Sequence, residues 1–280
     1  MITDPKTIGL RVGVYIFFYL VVWLFAAQAL LWLGGYFVGA TMSGLLGAWL
    51  ANWLSMRIYE RRPFAQIGLG LTPDSGRNLL LGLAGGIGSA ALVLSLPLAS
   101  GAALLVPSPD PTASWNSDIF VVALLLGGSA GEEILFRGYG PQILIRLLGP
   151  YATILPIGVL FAAMHSGNPH STWLALVNTA GFGILFGYAF LRSHDIWLPI
   201  GLHFGWNLTL PLFGVNVSGF TMKLTGYTVQ WNAGPLWSGG EYGPEASVLT
   251  SGALIALFVY LWKAPVRRQY APLIDSSNGN

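Results

Sequence analysis

The chain has 280 residues, 54% of them hydrophobic and only 9% charged, with a mean hydropathy of +0.63. That composition excludes a soluble globular domain and describes a polytopic membrane protein. A net charge of +2, with the basic residues scattered at helix ends, argues against nucleic-acid binding, and the absence of cysteine removes disulfides, thiolate metal sites and a cysteine nucleophile.

Measured against a span of about 20 apolar residues, eight runs stand out in chain order: 12–33, 36–55, 79–99, 119–138, 151–166, 172–191, 197–213 and 247–262. They predict an all-α membrane protein, a single domain over 1–280 built as a bundle of about eight transmembrane helices with a polar intramembrane cavity. The first run follows Lys6 and Arg11 but is long, aromatic and without a convincing cleavage site, so it is read as a retained helix. Gly82/Gly86 and Gly183/Gly187 are small-xxx-small pairs suited to close helix packing. With both termini in the cytoplasm, every Lys and Arg falls on inner segments except Lys223, as expected of a cell inner or plasma membrane protein. The loops 100–118 and 214–246 are then outside, and 214–246, with Trp231 and Trp237, reads as an interfacial cap rather than a ligand site.

The fourth run ends in GGSAGEEILFRGYG, residues 127–140. Glu132 and Glu133 are the acidic residues that fall well inside a predicted span, and a charge near the bilayer centre costs about 2.5–3.5 kcal/mol. Glu133 and Arg137, four residues apart, share one helix face in the favourable order for an ion pair near the cytoplasmic interface. Glu132 points about 100° away and requires a polar partner from another helix, or a neutral carboxyl. Candidates lie at helical spacing in FAAMHSGNPH, with Phe161 and His165, and in GLHFGWN, with His203 and Asn207; His170 and His194 fall in predicted loops. Depth raises a difficulty. At about 1.5 Å per residue, Glu132 and His203 agree in level near the cytoplasmic side, but His165 stands too far out. The expectation is that the polar SGNPHS segment dips into the bundle and brings a wet cavity with it.

The set Glu-Glu-x-x-x-Arg, Phe-x-x-x-His and His-x-x-x-Asn, in that order on three runs, resembles the CPBP family, the CaaX proteases and bacteriocin-processing enzymes also called the abortive-infection family. The match covers about 119–213. The resemblance implies intramembrane endopeptidase activity on a membrane-associated or lipidated peptide or protein, with lipid as surroundings. It implies that Glu132 and His165 activate a water, that Glu133 supports Glu132, that Arg137 is structural, and that His203 and Asn207 stabilise the oxyanion. Two chemistries fit these residues: glutamate-activated water without metal, towards which the missing His-Glu-x-x-His helix leans, or zinc held by Glu132, His165 and His203. A non-catalytic membrane scaffold and a proton-coupled carrier are the readings from other classes. Oligomeric state is not encoded in any of these motifs.

Overall fold

The computed structural model describes residues 4–109, 115–222 and 224–275; Lys223 lies outside the described residues. All eight predicted runs are helical, and the first two are joined more tightly than their separation implied. Pro5–Ser55 is helical except at Gly35, where φ is 75° and ψ is −175°. A side chain rarely adopts that φ, and glycine lets the chain reverse there. Two antiparallel helices result, α1 (5–34) and α2 (36–55): Gly47 lies against Tyr19 and Gly39 against Leu31, while Arg11 and Glu60 form a 2.8 Å ion pair at the far end of the hairpin.

The remaining helices are α3 (Pro73–Ser100), α4 (Trp115–Arg137), α5 (Tyr139–Leu148), α6 (Pro150–Met164), α7 (Trp173–Ser193), α8 (Trp197–Leu212) and α9 (Val248–Lys263). Four helical stretches among the described residues are long and apolar enough to cross a membrane, namely Pro5–Glu60, Pro73–Ser100, Asp118–Leu148 and Trp173–Ser193, and α6 and α9 are shorter apolar helices. The protein is an all-α integral membrane bundle. Among the described residues one short antiparallel ribbon, β1 (Ala103–Pro107) with β2 (Tyr227–Trp231), ties the 100–118 and 214–246 connections together.

Helix α8 is the axis of the bundle. A Cβ on Gly82 would lie 2.3 Å from the Leu198 carbonyl oxygen, and one on Gly86 would lie 2.2 Å from that of Leu202, so α3 and α8 touch backbone to backbone. The second glycine pair serves the α6–α7 contact, where Gly183 meets Gly158 and Gly187 meets Ile154.

The segment after Arg137 was expected to be a connection and is instead the helix α5. Backbone bonds from Gly138 N–H to Ile134 and from Gln142 N–H to Gly138 carry the helical path across the break, so that α4 and α5 form one 31-residue apolar stretch. Asn52 holds the break. Its amide donates to the Ile134 carbonyl and its Oδ1 accepts from the Tyr139 N–H at 2.6 Å, so a Cβ on Gly138 would strike that oxygen.

Candidate active site

The depth difficulty does not arise in the structure: His165, at the C-terminus of α6, lies beside Glu132, with its Nε2 3.9 Å from Oε2. Helix α5, about 15 Å long, intervenes between α4 and the start of α6. The SGNPHS segment does not dip inward: apart from Asn168 and Ser171 its residues are exposed.

Helices α6 and α8 meet Glu132 of α4. Its Oε2 lies 3.9 Å from Nε2 of His165, which caps the C-terminus of α6, and 3.9 Å from Nε2 of His203, on α8. Both distances exceed a direct hydrogen bond and leave room for one water bonded to carboxylate and imidazole together. The imidazole Nδ1 atoms face the other way. His165 Nδ1 lies 2.7 Å from the Phe161 carbonyl oxygen, which only accepts, so this nitrogen carries the proton and Nε2 presents a lone pair to Glu132. His203 Nδ1 lies 2.9 Å from Oε1 of Glu133, which fixes its ring in the same sense.

Glu133 and Arg137 form the anticipated pair, at 2.9 Å, but in full burial, with side chains 0% and 2% exposed. The guanidinium also donates to the Gly183 carbonyl at 2.6 Å and sits between the rings of Phe136, Phe161 and Phe186. Phe186 in turn stacks on His203 with ring centroids 4.8 Å apart. The Phe161 of the Phe-x-x-x-His motif thus touches Arg137 on one side and His165 on the other.

Asn207, one turn beyond His203, donates from Nδ2 to Oγ of Ser129 at 3.4 Å. Ser129 is buried on α4, one turn before the two glutamates. Sequence reasoning passed over Ser129 because a serine in a Gly-Gly-Ser-Ala run carries no signal of its own. It also missed Glu245. This residue was assigned to an interfacial cap, yet its carboxylate is buried against the cavity, accepting from Trp206 Nε1 at 3.2 Å and from the backbone N–H and hydroxyl of Ser218. Burial pushes the Glu245 carboxyl up, opposed by those donors.

Together these side chains border a cavity of about 340 Å³, with Glu132, His165, His203 and Asn207 in its wall. Two ligands about 2.0–2.1 Å from a tetrahedral zinc lie roughly 3.3 Å apart. The 3.9 Å spacings here are wider, and no group of three or more His, Cys, Asp or Glu among the described residues is set to hold a metal. The set as arranged does not fit a bound zinc.

Residues 114–209 match the family model for type II CAAX prenyl endopeptidases, described as Rce1-like. Over these residues the chain is similar to the CaaX protease family. The matched residues run from the start of α4 almost to the end of α8 and contain every member of the Glu132 constellation, whereas Glu245, α1, α2, α3 and α9 lie outside the match. No curated protein matches the chain. The matched segment also contains Ser129, Phe161 and Phe186.

Proposed function

We propose that this protein is an intramembrane endopeptidase in which Glu132 and His165 activate the attacking water. The observation that carries the reading is the convergence of the Glu132 carboxylate and the Nε2 of His165 at 3.9 Å on one cavity wall, with Nδ1 of His165 held by the Phe161 carbonyl. A water between them donates to Glu132 Oε2 and to the His165 lone pair. As its oxygen bonds to the scissile carbonyl carbon, its proton passes to one of these acceptors. The carbonyl oxygen then carries the negative charge. Asn207 retains a second amide hydrogen beyond the one given to Ser129, and His203 donates from Nε2 as an imidazolium. In that form Glu132, Glu133, Arg137 and His203 sum to zero charge, a condition that favours the set in a low-dielectric interior. Collapse of the tetrahedral intermediate breaks the C–N bond, and the proton held at Glu132 or His165 passes to the leaving nitrogen.

The experiment is cleavage of a membrane-peptide library in detergent by the purified wild type and by Glu132→Gln, each with and without a chelator. Glu132→Gln keeps the shape and removes the base, so a loss of about 10²–10⁴-fold is expected. Wild-type cleavage should survive chelation. Loss on chelation with recovery on adding zinc would overturn the metal-free assignment, and full activity in Glu132→Gln would overturn the role of Glu132.

A further inference from the structure

We infer that the cavity opens at the end of the bundle away from the cytoplasm, and that the polypeptide cut there is presented at the outer surface of the membrane. The two ends of the molecule differ in charge and in closure. At one end, the chain segments that join the helices carry Arg57, Arg61, Arg62, Arg77, Arg267 and Arg268, all exposed. These segments are fastened in a single layer: the Arg267 carbonyl accepts from Asn78, Arg192 donates to the Trp262 and Ala264 carbonyls, and Gln142 donates to the Ile67 carbonyl. The opposite end includes the Gly35 turn, the α6–α7 connection and residues 214–246, where the sequence has one basic residue, Lys223. Such an asymmetry places the arginine-rich end in the cytoplasm.

The cavity has Leu135, Phe136 and Phe161 at its base and extends past Glu132 toward the other end. Beneath Glu132 the bundle is shut by Arg137, Tyr139, Gln142 and Ile143, each at most 2% exposed, packed with Met56 and Ile196. Above it the wall is formed by outer halves of helices and by the outer loop, through Trp23, Tyr36, Phe37, Phe220 and Met222. Tyr36 and Phe37, directly after the hairpin turn, meet the ring of Phe220 at 5.9 and 5.6 Å. Tyr36 is 60% exposed, and the Glu132 side chain itself is 35% exposed. An aromatic rim of this kind, beside the lipid-facing surface of α1, suits a chain tethered to the outer leaflet by an apolar segment.

The identity of the occupant as a substrate rests on the endopeptidase reading, whereas the direction of opening does not. The native chain has no cysteine, so single cysteines report sidedness without background. Ser166→Cys stands exposed beside His165, and Asp74→Cys stands exposed in the first turn of α3 at the basic end. A membrane-impermeant maleimide added to spheroplasts should modify Ser166→Cys and leave Asp74→Cys unmodified, with the order reversed in inside-out vesicles. Modification of Asp74→Cys from outside, with Ser166→Cys protected, overturns the inference. In proteoliposomes whose labelling places Ser166 outward, an external peptide library should be cut. Cleavage in detergent but not by these vesicles would overturn the side of presentation. Absence of cleavage in detergent as well would fell the endopeptidase reading and leave the labelling result standing.

Discussion

Glu133 divides its two oxygens between partners of different kinds, Oε1 to His203 and Oε2 to Arg137. Removing the arginine leaves a fully buried carboxylate without its counter-charge, so Arg137→Met should cost about 3–5 kcal/mol of stability. Thermal unfolding in detergent measures this, and Glu133→Gln in the same chain should recover part of it, since the two changes remove one shared interaction. Asn207 predicts a different signature. Its amide is assigned to charge that exists only in the transition state, so Asn207→Leu should lower kcat by about 10²–10³-fold with little change in KM. An equal loss in KM would assign Asn207 to substrate binding instead. At this scale the sequence was readable wherever partners share a helix. The Glu133–Arg137 pair follows from a spacing of four, whereas the His203–Glu133 and Asn207–Ser129 bonds join residues 70 and 78 apart in the chain, and nothing local encodes them.

At the scale of elements, the α3–α8 contact depends on glycine at two levels. Gly86→Val would force a side chain into the Leu202 carbonyl, separating α3 from the helix that carries His203 and Asn207. Loss of both thermal stability and peptide cleavage is expected, while Gly88→Val, at a position open around its Cβ, should be tolerated in both assays. The hydrophobic runs and the glycine pairs made these helices legible. Helix α5 was not, because YGPQILIRLL has Gly, Pro, Gln and Arg among its apolar residues and falls short of a span. The pleated pairing of β1 with β2 was equally hidden, since each strand is five residues long and the two are separated by more than a hundred.

For the whole molecule, the sequence made the helical bundle legible but not the loop that supplies a buried wall of the cavity. Glu245 sits in a stretch of Gly, Pro and Trp whose composition describes a surface connection, and only the fold turns it inward onto Trp206. The closed floor beneath the glutamates has a further consequence for the cell. A water-accessible hollow that reaches far into a membrane is a hazard to the electrochemical gradient stored across it. Here the cavity stops at Arg137, which is neutralised by Glu133 and ringed by phenylalanines; below it a buried Gln142, tied to the Arg137 and Ile67 carbonyls, packs among Met56, Ile143 and Ile196. Liposomes containing the protein should therefore hold an imposed proton gradient as long as empty ones, measured with an internal pH dye, and a faster decay abolished by Glu132→Gln would instead indicate a proton conductor. The plug beneath Glu132 and Glu133 is also electrical insulation.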